Sequence, residues 1–480
     1  MSSAPSIVWF RRDLRLEDNQ ALEAAGARGG PVIPVYIHAP EEERPWEPGA
    51  ASNWWLHHSL EKLDAALRKR RSRLIVRRGN SAGELERLTT ETGAGAVFWN
   101  RLYEPMLAER DSRIENRLRG QGISARSFPG HLLWEPSLIH NKQGGPFQVF
   151  TPYWKHCSAL GDPPEPTPAP RLRSPGRWPE SIPLEALNLL PRIDSAAGLR
   201  KTWTPGEAGA QKRLAAFTDG AAAHYPEKRD RPDLEGTSRL SPHLHFGEAT
   251  PRQVWHAVLE RIDRKSAGLT LTAASPYLRQ IAWREFSHHL LHHFPHTAEE
   301  PLRPQFRSFR WRRNPAALKA WQRGRTGYPI VDAGMRELWA TGWMHNRVRM
   351  VVASFLVKDL LVSWREGARW FWDTLVDADL ANNTMGWQWT AGCGADAAPF
   401  FRVFNPVTQA DRFDPSGGYI RRWVPEIGLL PDSFLAKPWE APEPVRKKAG
   451  VHLGRTYPWP AVDHAQARIA ALGEYERIRK

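Results

Sequence analysis

Short apolar runs alternate with helix-like stretches over the first 130 residues, and this alternation limits the fold more than any other feature of the chain. Five of the runs are rich in β-branched and aromatic residues, as strands are. They cover 7–10, 32–37, 74–76, 96–99 and 124–128. Between them, segments such as 60–67 repeat leucine and alanine at helical spacing. Strands that alternate with helices predict an α/β domain with a doubly wound parallel sheet.

The rest of the chain has a different pattern. Seven prolines between positions 163 and 179 stiffen a connector and exclude a long helix there. Beyond residue 200 we find no strand-type alternation. Amphipathic helical windows instead cover 206–222, 251–265, 277–293, 315–323, 330–343, 345–364, 367–376 and 462–477. We therefore predict an α/β domain at 1–135, a connector at 136–200 and an all-α domain at 201–480.

Composition narrows the class of function. Lysine and arginine outnumber aspartate and glutamate by 67 to 52, a net charge of +15, and there are 23 tryptophans. Such charge favours a polyanion partner such as nucleic acid, although solubility alone would also explain it. Two cysteines are too few for an iron–sulfur cluster or a disulfide framework. With no membrane-length apolar run and no basic secretory start, we expect a cytoplasmic monomer without membrane association.

One segment suggests a phosphate site. Ser241 followed by Pro242 has the pattern of an N-cap and a first helical residue. Together with Gly236 and the hydroxyl groups that follow it, this helix start could hold a phosphate. A capped helix without any ligand has the same pattern, so both interpretations stay open.

Two helical faces combine polar and flat side chains. Gln280, Trp283 and Arg284 lie at positions i, i+3 and i+4, a face that suits a planar, hydrogen-bonding ligand. A polar ridge on the protein surface has the same pattern, so both interpretations stay open. Asn346, Arg349 and Met350 also share a face, and the downstream carboxylates of the 377–379 segment could pair with an arginine.

Three further patterns are weaker. The segment 392–397 fits G-x-G-x-x-A but follows no strand, so we do not interpret it as a nucleotide site. Histidines at 288, 289, 292 and 293 form two i, i+4 pairs without HExxH or a neighbouring carboxylate, and we predict no metal site. Basic residues interleave with tryptophans over 307–325, either as a solvated face or as a groove that follows phosphates.

Long motifs in a fixed order identify a family. They are VWFRRDLRLEDN at 8–19, GTSRLSPHLHFGE at 236–248, WREF at 283–286, TGYPIVDAGMRELWATGWMHNRVRM at 326–350, FLVKDLLVSWREG at 355–367, DADLANN at 377–383, WQW at 387–389 and DAAPFFRVFNP at 396–406. With these motifs the chain resembles the photolyase/cryptochrome flavoproteins, most closely the bacterial photolyases for cyclobutane pyrimidine dimers (CPDs). The resemblance covers nearly the whole chain. It implies an N-terminal α/β antenna domain, a connector and a helical FAD domain, the layout that the patterns also predict.

The resemblance implies FAD as the cofactor. Positions that match contacts to its phosphates and adjacent atoms are Tyr225, Thr237, Ser238, Arg239, Leu240 and Ser241. On the flavin side the matching positions are Arg284, Asp379, the ion pair of Arg349 with Asp377, and Asn383, which would face flavin N5. The family's chain of three tryptophans, which carries an electron inward to photoreduce oxidised FAD, matches Trp387, Trp364 and Trp311.

UV-damaged DNA is the implied partner. The matching DNA contacts are Arg229, Gln280, Trp283, Asn346, Arg347, Arg402 and Gln409. The protein would flip the dimer out of the duplex and pack it against an indole. Light-excited, reduced FAD would then pass one electron to the dimer, whose ring splits. The residues that the resemblance places at this chemistry are Gln280, Trp283, Asn346, Met350 and Asn383.

The expected lesion follows from three positions. Photolyases for (6-4) lesions carry histidines where this chain has Asn346 and Met350, so a CPD is favoured. CPD photolyases normally carry glutamate where this chain has Gln280, and glutamine is the residue of (6-4) enzymes. We therefore expect weaker but real CPD repair. The alternatives are a (6-4) photolyase and a cryptochrome-type blue-light receptor, which would use the same flavin to signal.

The antenna chromophore is less constrained. The segment GAASNWWLHHSL at 49–60 resembles the folate pocket of plant-cryptochrome-like bacterial photolyases, which makes methenyltetrahydrofolate our first choice. Met106 and Leu107 stand where a different folate-binding branch has Asn-Glu. A deazaflavin, a second flavin or an empty pocket remain open.

Overall fold

A computed structural model describes residues 4–193, 195–263, 269–397 and 401–479. The chain divides into two compact units. Unit 1 comprises 1–223, 238–295 and 376–380, and unit 2 comprises 224–237, 296–375 and 381–480. The predicted limits at 135 and 200 stay a prediction.

Unit 1 contains a parallel sheet of five strands. In chain order these are β1 Ser6–Phe10, β2 Val32–His38, β3 Ile75–Arg78, β4 Ala96–Asn100 and β5 Ser124–Phe128. Their order in the sheet is β3-β2-β1-β4-β5, which is the doubly wound arrangement. β1, β2 and β4 are buried along their whole length, as expected for strands covered by helices on both faces. The predicted α/β fold class and all five strands are confirmed.

Helices form most of the remaining regular structure. In chain order the α-helices are α1 Gln20–Ala27, α2 Ala50–Lys69, α3 Ser81–Thr92, α4 Pro105–Gly120, α5 Phe150–Ser158, α6 Ala197–Thr202, α7 Glu207–Asp219, α8 Tyr225–Lys228, α9 Ser241–His245, α10 Pro251–Asp263, α11 Leu271–His293, α12 Pro315–Gln322, α13 Pro329–Thr341, α14 Asn346–Ser354, α15 Trp364–Thr374, α16 Leu380–Ala391, α17 Pro406–Phe413, α18 Gly418–Trp423, α19 Asp432–Leu435, α20 Glu443–Lys448 and α21 His464–Arg479. No strand occurs in unit 2 among the described residues, so the predicted helical second half is confirmed.

One predicted helix is two helices. The window 345–364 predicts a continuous helix, but α14 ends at Ser354 and a π-helical turn follows over Phe355–Asp359. Leu361 then adopts a left-handed conformation with φ 53°. The side chain of Ser363 caps α15 by accepting a hydrogen bond from the backbone N–H of Arg365 at 3.3 Å. Apolar residues continue across this break, so periodicity alone could not reveal it. Residues 264–265 of another predicted window lie outside the described residues.

The connector and the cysteines agree with their sequence patterns. Residues 162–183 contain no helix or strand, as their prolines predict. Cys157 in unit 1 and Cys393 in unit 2 are both free and fully buried. No helix of the described residues combines the length and apolar character that a membrane span needs.

Candidate active site

Helix α11 of unit 1 presents the first group of predicted site residues. The indole of Trp283 stacks on the ring of Phe150 from α5, with ring centroids 3.7 Å apart and planes at 9°. Phe150 is buried, whereas Trp283 is half-buried. Gln280, one turn earlier and also half-buried, donates a long hydrogen bond of 3.5 Å to the carbonyl of Pro276. Trp283 is therefore held flat on one face by a ring that sequence reasoning missed.

Arg284, on the same helix, is buried and makes three hydrogen bonds. Its guanidinium donates to the carbonyl oxygen of His131 at 3.0 Å, to Nε2 of His131 at 2.7 Å and to Oε1 of Glu285 at 2.9 Å. Glu285 in turn accepts from the backbone N–H groups of Leu133 and Trp134 at 2.6 and 3.3 Å. These contacts fix the direction of the guanidinium.

Asp379 lies against two histidines. Nε2 of His288 is 3.5 Å and Nδ1 of His245 is 3.6 Å from its Oδ2 atom. Burial alone would raise the pKa of Asp379, but the charge of His288 and hydrogen bonds from both histidines hold it well below its usual value. Burial alone would likewise lower the pKa of His288, yet Asp379 raises it. Asp379 is thus a carboxylate, in contact with histidines that are distant in sequence.

A metal ion is a poor fit for this group. His131, His288 and Asp379 bring potential ligand atoms within 4.8 Å of one another, a spacing that also occurs in metal sites. The guanidinium of Arg284, however, donates to Nε2 of His131, and a positive group at this position opposes a second cation. Burial and the charges of Arg284 and His288 lower the pKa of His131 well below its usual value, so this ring is neutral. The absence of a metal site stays a prediction.

The predicted phosphate segment forms a tight turn rather than a capped helix start. Ser241 is the first residue of α9 and Leu240 is the N-cap, without a side-chain capping bond, which corrects the predicted N-cap. The helix has only five residues. Arg239 has a positive φ of 52°, and the backbone N–H of Leu240 lies 3.4 Å from Oγ of Ser238. Ser241 is exposed and Ser238 is half-buried, so hydroxyl donors border this turn.

In unit 2, the start of α14 carries a second group of predicted residues. Asn346 is exposed, and Arg347 and Met350 are half-buried. The carboxylate of Asp230 accepts from Nη2 of Arg347 at 2.9 Å and lies 3.9 Å from Nε of Arg229. Asp230 thus holds two predicted DNA-contacting arginines, a role that the sequence pattern does not reveal.

Helix α17 and the segment before it lie next to α14. Arg347 stacks over the ring of Phe413, with the guanidinium carbon 4.4 Å from the centroid. Gln409 lies one turn earlier on α17 and is half-buried, and Arg402 is exposed. The backbone N–H of Phe404 donates to Oγ of Ser354 at 3.3 Å. Residues 398–400 of the DAAPFFRVFNP motif lie outside the described residues.

Two predicted flavin-side residues are found in unit 2. Nδ2 of Asn383 on α16 donates to the carbonyl of Ala368 on α15 at 3.1 Å, which orients its amide. Nε of Arg349 donates to the carbonyl of Met344 at 2.8 Å. Asp377 belongs to unit 1, so the pairing of Arg349 with Asp377 stays a prediction. Tyr225, at the start of α8, is buried, and Thr237 is half-buried.

The three predicted electron-transfer tryptophans all lie in unit 2. Trp387 and Trp364 are buried, and Trp311 is half-buried. The ring of Trp387 packs on α15 at Gly367, three residues after Trp364, so closely that a Cβ atom at Gly367 would lie 2.0 Å from it. The backbone N–H of Arg312 donates to the carbonyl of Leu361 at 2.7 Å, which places the Trp311 segment beside the turn before α15. Trp387 and Trp364 are equally buried, each 2% exposed, and only Trp311 is more exposed. The chain itself stays a prediction.

Comparisons with known proteins identify the family. Residues 6–171 match the family description "DNA photolyase", and residues 277–477 match "FAD binding domain of DNA photolyase". The chain is 50% identical to a deoxyribodipyrimidine photo-lyase of Agrobacterium fabrum, over 100% of this chain and 99% of that protein. The chain belongs to the DNA photolyase family.

Two other relatives define its place among photolyases and cryptochromes. A crystal structure of a bacterial class III photolyase from Agrobacterium tumefaciens matches with a TM-score of 0.96 and 49% identity, over 100% of this chain and 98% of that chain. Cryptochrome-1 of Arabidopsis thaliana is 43% identical over 98% of this chain and 70% of that protein. Both classes of relative therefore lie close to this photolyase-family chain.

The residues of this photolyase fold fit FAD. Ser238 and Ser241 supply hydroxyl donors of the kind that phosphates accept from. Arg284 and Asp379 supply one buried charge of each sign, which suits the hydrogen-bonding edge of a flavin.

Proposed function

We propose that this photolyase-family protein repairs cyclobutane pyrimidine dimers in DNA under blue or near-UV light. The observation that carries the proposal is Trp283, a half-buried indole stacked flat on Phe150. Such a braced ring suits stacking on a base that has been flipped from the duplex. Gln280 lies on the same helix one turn before Trp283, and Arg284 is the residue directly after Trp283.

In this proposal, the phosphate side of FAD is bound by Ser238, Arg239, Leu240 and Ser241. Its flavin side is bound by Arg284, Asp379 and Asn383. When bound, it supplies light absorption and the single electron that splits the dimer. The chain's own residues bind and orient the lesion. Trp283 stacks on the dimer, Gln280 donates a hydrogen bond to it, and Asn346 and Met350 line its base edges.

In this proposal, a separate set of side chains binds the DNA backbone. Arg229 and Arg347 share the carboxylate of Asp230, so two guanidiniums are positioned for one net positive charge. Arg402 and Gln409 add an exposed cation and an amide. The net charge of +15 supports a polyanion partner. Neither Asn346 nor Met350 can give a proton as a histidine does, which supports a CPD rather than a (6-4) lesion.

A blue-light receptor of the cryptochrome type is the second candidate. The 43% identity to a plant cryptochrome favours it, as does glutamine at position 280. The exposed Arg402 favours repair, because a receptor that signals to a protein has no need of a phosphate-binding surface.

For the antenna we propose methenyltetrahydrofolate. In the 49–60 segment Trp54 and Trp55 are buried, and Trp55 donates to Glu248 at 3.0 Å. The pocket side chains of this segment would therefore be Asn53, His57 and His58, which are half-buried. Arg11 and Arg12, with their carboxylate partners, lie at the edge where doubly wound sheets bind ligands. A chromophore at that edge would displace these ion pairs, at a cost in stability.

A repair assay tests the proposed function. The FAD-loaded protein, chemically reduced, is incubated with an oligonucleotide that carries one thymine CPD, and intact thymines are counted by chromatography after blue light and in the dark. Light-dependent repair is the expected result. Bound FAD and CPD recognition without repair would direct attention to the (6-4) lesion. The absence of both repair and damage recognition would favour the receptor.

A further inference from the structure

The hydrogen bonds of His288 determine its charge. Nδ1 lies 3.1 Å from the carbonyl oxygen of Arg284, which can only accept, so Nδ1 carries a hydrogen. Nε2 lies 3.5 Å from Oδ2 of Asp379. A lone pair on Nε2 would face the lone pairs of a carboxylate in a buried site, which is unfavourable. The geometry therefore requires hydrogens on both nitrogens, and His288 is an imidazolium.

Arg284 and its partners complete the arrangement. A guanidinium only donates, so Nε2 of His131 accepts and this ring is neutral. We call His131, Arg284, Glu285, His288 and Asp379 the buried charge cluster. Each member is at most 9% exposed. Its two positive and two negative groups balance, so the loss of one charge leaves the others buried and uncompensated.

We propose that His288 is a positioning residue for the flavin side of the site: as an imidazolium it holds Asp379 as an oriented carboxylate, while His131 and Glu285 hold Arg284. This inference rests on the assignment of Asp379 and Arg284 to FAD under the proposed function. The photolyase motifs in the chain give no role to His131 or His288.

The direction of the pH dependence follows from the two pKa values. Asp379, lowered from 3.8, contributes stability that is present above its ordinary pKa and is lost as pH falls through the lowered one. His288, raised from 6.5, contributes stability that is present below its ordinary pKa and is lost as pH rises through the raised one. The ion pair is thus intact from pH 3.8 to pH 6.5. It also persists below pH 3.8 until Asp379 is protonated, and above pH 6.5 until His288 loses its proton. The titratable or charged groups around it are His245, Arg284, Glu285, His131, Tyr103 and Arg12.

Replacement of His288 by glutamine tests the proposal. His288→Gln keeps a hydrogen-bonding side chain but removes the positive charge. An opposite charge within about 4–6 Å shifts a carboxylate pKa by about 1–3 units, so we expect the acid midpoint of FAD release to rise by about 1–3 pH units. Release is followed by FAD fluorescence in the dark, without DNA. His288→Lys restores a positive charge and should return the midpoint towards that of the wild type.

His289→Gln is the matched control. His289 is the next residue on α11, is fully buried and accepts through Nε2 from the backbone N–H of Phe147 at 3.0 Å. It should retain the wild-type midpoint. A wild-type midpoint in His288→Gln, or equal shifts in the glutamine and lysine variants, would overturn the proposal. So would a stoichiometric metal ion in the wild-type protein that is lost from His288→Gln.

The proposal can still be tested if the glutamine variant does not fold, or if the protein does not repair the dimer. If His288→Gln does not fold, the lysine variant decides alone: a wild-type midpoint supports the proposal and a raised midpoint overturns it. Failure of dimer repair would not affect the result, because FAD release is measured without light or lesion.

Discussion

Gln280 is the residue at which this site departs most from a CPD photolyase. We expect Gln280→Glu to increase CPD repair by up to about 10-fold, about 1.4 kcal/mol in the barrier, because a carboxyl group can give a proton and an amide cannot. The rate of light-dependent repair of a thymine-dimer oligonucleotide measures this. Gln143→Glu, at an exposed position of unit 1, controls for the added charge. A slower glutamate variant would contradict the role assigned to this position.

Asp230 gives a prediction about discrimination rather than rate. Asp230→Asn releases Arg229 and Arg347 from their shared carboxylate and adds one positive charge. We expect binding to undamaged DNA to strengthen while the preference for damaged DNA falls by about 10-fold, because a charged hydrogen bond that orients Arg347 is worth about 1.5–3 kcal/mol. Gel-shift titrations with both DNAs measure the ratio. Asp432→Asn, a surface partner of Arg421, is the control and should leave the ratio unchanged.

Motif matching predicted site residues that act through their own chemistry but missed those that hold them. Trp283, Arg284 and Asp379 are predicted as site residues because their residue types and spacing match a family pattern. Phe150, His131, His288 and Asp230 could not be predicted, because each acts through contact with a residue remote in sequence. The sequence likewise shows no carboxylate beside the histidines of α11, because Asp379 comes close to His288 only through the fold.

At the scale of elements, α15 and α16 depend on one glycine. A Cβ atom at Gly367 would lie 2.0 Å from the ring of Trp387. We expect Gly367→Ala to lower the free energy of unfolding by about 1–3 kcal/mol through overpacking, as measured by urea denaturation. On α16, Gly386 has nothing within 4 Å of an added Cβ, so Gly386→Ala should be neutral or stabilise by about 0.5–1 kcal/mol. Equal effects of the two changes would refute the packing argument.

The tryptophans of these elements give a separate prediction. Replacement of Trp311, Trp364 and Trp387 by phenylalanine should abolish photoreduction of oxidised FAD, because phenylalanine is a far poorer one-electron donor than an indole. The absorbance of oxidised flavin under blue light measures this. Repair by chemically reduced protein should persist. Unchanged photoreduction in the triple variant would show that electrons take another route.

The strands could be predicted more fully than the helices. β1, β2 and β4 are apolar throughout because both faces are covered, and such runs are visible in one sequence. The break between α14 and α15 has no such signal, since a left-handed Leu361 and a serine cap interrupt a pattern that stays apolar. Helix α16 was missed because it is not amphipathic.

For the whole molecule, the charge of +15 predicts a strong salt dependence of DNA binding. Each arginine that neutralises a phosphate contributes about −0.9 to the slope of log affinity against log salt concentration. Arg402→Ala should therefore make the slope less steep by about 0.9, as measured by binding titrations between about 50 and 200 mM salt. Arg78→Ala is the control: it removes an exposed arginine of β3 that is not among the predicted DNA contacts, so it should leave the slope unchanged. The same slope change in both variants would contradict the assignment of Arg402 to DNA binding.

The two cysteines lie one in each unit, and burial raises the pKa of both Cys157 and Cys393 to about 12. Thiols react as thiolates, so an alkylating reagent can modify these side chains only when the surrounding structure opens. Their modification rates, separated by mass spectrometry of two peptides, would time the opening of unit 1 and of unit 2 in a single sample. Without any added label, the wild-type chain can report whether its two halves unfold together or one after the other.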